Sequence, residues 1–529
     1  MEERYLKFLD LNFYQIYPKS FKDANNDGIG DFLGIKEKIP YLASLGVKGV
    51  WLSPCFASPN VDSGYDISDY RMIGKEFGTM EEFKDMLDTF HSFGIKVIVD
   101  LVVNHCSTEH IWFKEALKGK ENPYHDYFYW FDEIPNDWNS VFGGSAYEYV
   151  PTLGQYYLHS FAKEQADLNW ENPKVREEVK GIVDFWVGLG VDGFRCDVLD
   201  MVSKDFKEGK NGDGPRLHEF LKEIFDRPHM KDMYLVGECW NTPTSKVKAL
   251  TGEDRGELVT AFVAGDLAHA TPRFEKVNVI DYDQIHRHFA RKMELYQEND
   301  LIFAPFFENH DLTRTISKFG NDRELRYECA TFYATILYTL RGTPFCLQGQ
   351  EFGTMDASYP TIDSFDDVES KNFYARNHGV MDEEELMDLI NYDSRDNGRR
   401  PMVWDDSPTG GFNDGHKPWL PLHSNLGKFS LKQDLESSRS IFRYFQKVIA
   451  LRNATPALRQ GWFFDLTGSR KDCFIYERRY EGEIYWIAVN YDKESKIEAP
   501  KGYTKVLGNV EGEREVFLPF EAAIYKKNA

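Results

Sequence analysis

The sequence predicts an α/β protein: an eight-stranded (β/α)8 TIM barrel with an inserted domain after its third strand and a C-terminal antiparallel β-sandwich. Three observations predict it. Short apolar runs recur at 47–52, 97–103, 193–198, 234–236, 302–307 and 344–347, separated by longer stretches with helical apolar spacing. That alternation reads as parallel βαβ units. Polar residues in these runs gather towards their ends, although Asp100 falls inside one. The length, 529 residues, holds a barrel of about 250 residues with room for accessory domains.

The elements follow in order. Thr79 is placed to cap a helix, with Glu81 and Glu82 in its first turn and Phe83, Met86, Leu87 and Phe90 along one face. Gly94 ends it before the run at 97–103. Asn172-Pro-Lys-Val opens a second helix that runs to about Leu189-Gly190. Between them, 105–172 is too long for a crossover and is rich in Gly, Pro and aromatic residues, so it reads as the inserted domain. An irregular subdomain, about 351–420, follows the last barrel strand. From 457 the pattern turns to short alternating runs, Cys473-Phe-Ile-Tyr-Glu and Ile484-Tyr-Trp-Ile-Ala-Val, which predict the antiparallel sandwich over 457–529. The barrel then takes 1–104 and 173–456.

Composition excludes several function classes. A formal net charge of −23 argues against nucleic acid, because phosphate binding needs clustered Lys and Arg. The seven Cys are scattered and form no Cys-x-x-Cys pair, which suits free thiols in a reducing compartment better than a disulfide framework. The start carries acids instead of an apolar leader, and no run of about 18 apolar residues is present to span a membrane. The expectation is a cytoplasmic monomer or weak dimer. Aromatic residues make up 15%; they suit stacking on sugar faces, and most of them are core residues in any fold.

Four runs end in acids or histidines: Asp100 with His105, Arg195 with Asp197, Glu238, and Glu308-Asn-His310-Asp311. Residues at the C-terminal ends of barrel strands point into the active site. Three carboxylates, Asp197, Glu238 and Asp311, suit glycosidic cleavage, which needs a nucleophile, a proton donor and charge complementary to an oxocarbenium-like transition state. Arg195 lies two residues before Asp197, so on a strand both face the same way, and the cation favours an ionised carboxylate. Glu238 must instead hold a proton near neutral pH. His105 and His310 are placed to donate hydrogen bonds to sugar hydroxyls; the alternative, metal ligation, lacks a His-x-x-x-His or Cys-x-x-Cys spacing.

These residues resemble glycoside hydrolase family 13, the α-amylase clan. Asp100-Leu-Val-Val-Asn-His105, Gly193-Phe-Arg-Cys-Asp-Val-Leu-Asp200, Val236-Gly-Glu238 and Phe307-Glu-Asn-His-Asp311 are similar to its four signatures, in order. The resemblance implies Asp197 as nucleophile, Glu238 as acid/base and Asp311 as transition-state stabiliser. Gln165-Ala-Asp-Leu-Asn169 and Gly342-Thr-Pro-Phe-Cys-Leu-Gln-Gly349 match two further segments. The subgroup looks like oligo-1,6-glucosidase and dextran glucosidase, from Phe13-Tyr-Gln-Ile-Tyr-Pro-Lys-Ser-Phe21, Phe142-Gly-Gly-Ser-Ala146 and Ser394-Arg-Asp-Asn-Gly-Arg-Arg-Pro-Met402. In that subgroup Val after the nucleophile, here Val198, goes with α-1,6 linkages and Thr with α-1,4; related trehalose-6-phosphate hydrolases also carry Val. Gly64-Tyr65-Asp66 resembles the pocket that closes around a non-reducing glucose, with Asp66 paired to Arg399, or to Arg395 as second choice. Tyr65, His105, Phe142, Gln165, Arg195 and His310 complete the implied substrate contacts. Two segments depart from the pattern, Ala261-Phe-Val-Ala-Gly-Asp-Leu-Ala-His269 and His310-Asp-Leu-Thr-Arg314, both expected near the aglycone.

Asp23-Ala-Asn-Asn-Asp-Gly-Ile-Gly-Asp31 spaces oxygens as a calcium loop does, through Asp23, Asn25, Asp27, the Ile29 carbonyl and Asp31. The family carries a structural Ca²⁺ or Mg²⁺ here; the bland alternative is an Asx-turn loop. The expected activity is exo-hydrolysis of short α-glucosides, α-1,6-linked, with retention. Alternatives are α-1,4-glucosidase, trehalose-6-phosphate hydrolysis, sucrose isomerisation or transglucosylation. A non-catalytic relative such as a transporter heavy chain predicts lost carboxylates and a membrane anchor, and the sequence has neither.

Overall fold

The computed structural model describes residues 3–252, 256–264, 273–276, 280–423 and 429–528. Seven parallel strands form one curled sheet, in the order Thr260–Ala264, Tyr234–Pro243, Gly193–Asp197, Lys96–Val102, Gly49–Leu52, Phe13–Ile16, Phe345–Leu347. Every neighbouring pair is parallel, with Arg195 in register with both Asp100 and Val236. That register brings the acids of separate strands to one level of the sheet's C-terminal edge.

The apolar run at 302–307 differs from expectation: it fills the eighth position without forming a ladder. On one side the carbonyls of Phe303 and Pro305 accept from the Thr343 and Phe345 amides at 2.8 and 2.9 Å. On the other, the Thr260 hydroxyl takes the Ile302 carbonyl at 2.6 Å. Pro305 has no N–H to donate, and a side-chain oxygen stands where a ladder amide would. The ring is closed here by a few hydrogen bonds and by packing.

The barrel interior is filled, not hollow. Phe13 stacks on Phe345 at 5.0 Å and meets Tyr234 at 4.6 Å, with Trp51, Ile98, Val236 and Phe262 in the same buried cluster. Close strand approach fixes Gly193, whose φ is 155° and where a Cβ would lie 2.0 Å from the Tyr234 carbonyl. Helices cover the outside. Met80–Ser92 starts at a Thr79–Glu82 capping box and buries Phe83, Met86, Leu87 and Phe90. Pro173–Leu189 is capped by Asn172 and ends on left-handed Gly190.

Between the strands Lys96–Val102 and Gly193–Asp197 the chain leaves and returns through an antiparallel neck, His105–Ser107 against Gln165–Asp167. Beyond the neck lies a three-stranded sheet of Trp130–Phe131, Gln155–Leu158 and Tyr147–Val150. The stretch expected to be irregular holds the helices Val368–Asn377 and Glu383–Asp393, capped by Asp367 and Asp382, and the single turn Asp396–Arg399. Glu383–Asp393 packs Leu386, Met387 and Ile390 with Phe274 and Phe365 in a separate core, against which Phe373 and Tyr374 of Val368–Asn377 lie. At the C-terminus five antiparallel strands face the pair Ser495–Lys496 and Val516–Phe517. Ile475, Trp486, Ile497 and Phe517 are buried together. Tyr480 pairs with Glu483 across a two-residue turn in which Glu481 and Gly482 have φ of 46° and 89°, the turn that matches strand twist. Among the described residues no helix is long and apolar enough to cross a membrane. All seven cysteines are buried and unbridged.

Candidate active site

The site is organised around one guanidinium. Strand alternation turns Arg195 and Asp197 to the same face, and Arg195 is 1% exposed. Its Nη1 donates to Asp100 Oδ1 at 2.6 Å and Asp197 Oδ1 at 2.7 Å, and its Nη2 reaches Glu238 Oε2 at 2.7 Å. Trp51 and Tyr65 flank it, 5.1 and 5.8 Å from their ring centres. The Trp51 indole also donates to Asp100 at 2.7 Å. Glu238 receives two further donors, the Val198 amide at 3.0 Å and the Trp240 indole at 2.7 Å.

One cation against three buried carboxylates leaves an excess of negative charge. Burial first, then Glu238 and Asp100, hold Asp197 well above the ordinary carboxylate range despite Arg195. Burial and the neighbouring negative charges thus favour the protonated form of Asp197 in the substrate-free site. Burial likewise pushes Asp100 up to about 6.

Asp311 is held differently. Arg399 Nη2 and Arg395 Nη1 donate to its Oδ1 at 2.8 and 3.2 Å, and His310 Nε2 lies 3.1 Å from its Oδ2. Burial opposes its charge, but His310, Arg395, Arg399 and Arg195 more than offset it and hold Asp311 well below the usual range. His310 is itself buried, which pushes it down to about 3. Gln15 Nε2 lies 2.7 Å from its Nδ1 and the Tyr65 hydroxyl 2.6 Å from its Nε2. Tyr65 stacks on it at 5.3 Å. A donating Gln15 leaves the ring proton on Nε2, facing Tyr65 and Asp311.

Asp197, Glu238, Asp311, Tyr65, His105 and Phe142 all line one pocket of about 690 Å³. Arg195, His310, Arg399 and Gln165 stand behind this lining. Gln165 Nε2 contacts His105 Nε2 at 3.2 Å and donates to Asp62 at 3.1 Å. The expected Asp66–Arg399 pair does not form. Asp66 is fully buried and accepts from the Val61 and Asp62 amides and the Ser58 hydroxyl at 2.9, 3.1 and 3.0 Å. Ser63 and Gly64, with φ of 50° and 99°, reverse the chain and send Asp66 beneath its own loop. Asp62 faces the pocket instead, with Arg395 Nη2 at 3.4 Å. Arg399 reaches Asp311, the His310 carbonyl at 2.8 Å and the Ser63 hydroxyl at 3.4 Å.

Trp240 and Glu369 also line the pocket and escaped the sequence reading. Trp240 was findable, two residues after Glu238 on the same strand face. Glu369 lies on Val368–Asn377, a helix in the stretch read as irregular. Of the two departing segments, 265–269 lies outside the described residues, whereas Leu312 lines the pocket and Arg314 turns inward to pair with Glu308 at 3.1 Å.

The loop 23–31 is tied together by its own side chains. Asp23 accepts from the Asn26 and Gly28 amides and from Asn413 at 2.7, 2.8 and 2.8 Å. Asp31 accepts from the Ala24, Asn25 and Gly34 amides. Asn25 and Asp27 accept from the Asp27 and Ile29 amides at 2.9 Å each. The donor set is all hard oxygen and fits Ca²⁺ or Mg²⁺ in kind. Its carboxylates are turned to amides, and no cluster of three His, Cys, Asp or Glu poised for a metal is found among the described residues.

Comparison with known proteins bears directly on this geometry. Residues 15–461 match the family model of the alpha amylase catalytic domain. The chain is 40% identical to an oligo-1,6-glucosidase of Heyndrickxia coagulans, over 97% of this chain and 98% of that one. It is 39% identical to a trehalose-6-phosphate hydrolase of Escherichia coli, over 91% and 90%. Its structure superposes on an isomaltulose synthase mutant from Erwinia rhapontici, solved with D-glucose, with a TM-score of 0.93 at 34% identity, covering 99% of both chains.

Proposed function

The chain belongs to the alpha amylase catalytic-domain family and is a glycoside hydrolase, and from that premise we propose that it is a retaining, exo-acting α-glucosidase. It removes non-reducing glucose from short α-glucosides, α-1,6-linked ones such as isomaltose and panose first. The observation that carries this reading is Arg195 clamped between Asp197 and Glu238, both at 2.7 Å. Two carboxyls sharing one guanidinium are held as neighbours, and a close carboxyl pair supports retention over inversion.

Asp197 attacks the anomeric carbon as the glycosidic C–O bond breaks, and Glu238 gives its proton to the departing oxygen. Water then hydrolyses the glucosyl–Asp197 ester, its proton returning to Glu238. Asp197 must be ionised to attack, although burial favours its protonated form in the empty site, and Glu238 must carry the proton when the leaving oxygen arrives. Asp311, kept anionic, complements the positive charge that develops on the ring. Asp62 and Arg395, 3.4 Å apart, both line the pocket, and exo-action, one glucose per event, is part of the proposal.

A specific observation weighs against phosphorylated substrates. The cations lining the pocket are already neutralised: Arg273 by Glu369 at 3.0 Å, Lys318 by Asp393 at 2.6 Å, and Arg395 by Asp367 at 2.7 Å. Among the described residues none is spare for a phosphate. α-1,4 hydrolysis and transglucosylation share the first step, and product analysis separates them. The reading is tested by rates and anomeric products on isomaltose, maltose, sucrose and trehalose-6-phosphate; a β-glucose product, or trehalose-6-phosphate as best substrate, overturns it.

The same proposal includes a structural Ca²⁺ or Mg²⁺ held by Asp23, Asn25, Asp27, the Ile29 carbonyl and Asp31, where it would tie the loop and take no part in the reaction. A reducing, cytoplasmic setting is supported by seven unbridged thiols. A monomer or weak dimer is proposed, testable by sedimentation.

A further inference from the structure

The strand that delivers Glu238 runs on past the barrel. Tyr234–Pro243 pairs regularly with Thr260–Ala264 as far as Cys239, and the register then slips before Pro243. The segment 240–242 therefore leaves the ladder where it carries Trp240, whose indole donates to Glu238 Oε1. Something else must hold that segment in place.

One buried side chain holds it. Asp200 lies on the 3₁₀ turn Leu199–Val202 and is fully buried. Its Oδ2 accepts from the Asn241 amide at 2.7 Å and the Thr242 hydroxyl at 3.1 Å, and its Oδ1 from Asn241 Nδ2 at 3.1 Å. A carboxylate supplies the acceptors that the slipped ladder no longer does, and charge-assisted bonds of this kind are the strong ones. The turn that carries Asp200 begins at Val198, whose amide is the second donor to Glu238. Both donors, Val198 N–H and Trp240 Nε1–H, are thus tied to each other through Asp200.

We propose that Asp200 is a positioning residue for Glu238, fixing the angle at which that carboxyl meets the departing oxygen by locking Trp240–Thr242 to the turn after Asp197. Asp200 lies in the pocket wall, but its carboxylate is fully buried and both its oxygens are taken by Asn241 and Thr242, so it acts through Trp240 and Glu238. The proposal rests on Glu238 being the acid/base.

The test compares kcat/KM on isomaltose, whose departing oxygen needs a proton, with kcat/KM on α-glucosyl fluoride, whose fluoride does not. Both report the first chemical step. Asp200→Ala is expected to lose roughly 30-fold or more on isomaltose and to stay within about threefold on the fluoride. Asp200→Asn, which keeps one oxygen for the Asn241 amide, should recover most of that loss. Trp240→Phe should reproduce the selective loss, and keeps the proposal testable if Asp200→Ala fails to fold. Equal losses on both substrates in Asp200→Ala or Trp240→Phe, or none on isomaltose, overturn it. Glu238→Gln separates the two layers: if it also slows the fluoride equally, the acid assignment falls; if it alone is selective, only the role of Asp200 falls.

Discussion

The Val198 amide donates to Glu238 at 3.0 Å from a backbone with φ of 35° and ψ of 44°. A β-branched residue in the left-handed region is strained by about 1–3 kcal/mol, and such strain persists where the surroundings impose it. Here it turns the chain directly after Asp197, so that one side of the turn offers a carboxyl and the next peptide offers an N–H. Val198 also lines the pocket. Val198→Thr keeps the branched shape and the amide while adding a hydroxyl. It should fold with a melting temperature within a few degrees of wild type and shift the isomaltose-to-maltose rate ratio towards maltose. An unchanged ratio would remove Val198 from linkage selection.

Asp62 and Asp66 differ in role although four residues apart. Asp62→Ala removes a carboxylate that lines the pocket, while Arg395 keeps Asp367 and Asp311. It should cost about 10²-fold in kcat/KM, the loss expected of a charge-assisted contact worth roughly 3 kcal/mol. Asp66→Ala orphans two amides and a hydroxyl, so its effect should appear in urea melts as a loss of about 2–4 kcal/mol with kcat of the folded fraction near wild type. The reverse pattern would restore Asp66 to the pocket.

His310 makes stability depend on pH. Its folded pKa, about 3, lies below the 6.5 of an unfolded histidine. The stability it contributes is therefore fully present above about pH 6.5 and is lost as pH falls towards 3. Gln does not titrate. The destabilisation caused by His310→Gln should be largest near pH 7 and shrink by up to about 1.4 kcal/mol per unit on acidification. Parallel stability curves for the two proteins would show that His310 takes up its proton equally in the folded and unfolded states.

The loop 23–31 gives a prediction about ions. If a divalent cation binds, Ca²⁺ added to chelator-treated protein should raise the melting temperature by an amount that follows ligand linkage, about 2.7 kcal/mol at a hundredfold excess over Kd. Asp27→Ala should abolish the rise and leave the ion-free melting temperature nearly unchanged, since Asp27 is exposed and its carboxylate meets only its own loop. Failure of Ca²⁺ and Mg²⁺ to move the wild-type transition leaves an Asx-turn loop and nothing more.

The acidic residues of the barrel strands were legible because they ride on periodic elements. Asp100 lies inside an apolar run, and Arg195, Asp197 and Glu238 stand at the ends of two others, on strands whose alternation fixes which way each side chain points. Asp62 was hidden because Ser63 and Gly64 reverse the loop, and no periodicity reports a reversal. Glu369 was hidden because Val368–Asn377 is mostly polar or partly exposed, with only Ser370 fully buried, so it lacks the apolar stripe by which helices are read. The run at 302–307 was read as a strand because it is apolar; Pro305 within it marks why the ladder stops.

That break in the ring has a mechanical consequence. Asp311 follows the one staveless part of the cask, whereas Asp197 and Glu238 are riveted into its hooped wall. The third carboxylate therefore owes its place to buttresses from outside, Arg395 and Arg399, delivered by a segment nearly ninety residues downstream. Loosening that far prop would let one jaw of the vice drift while the other two hold still.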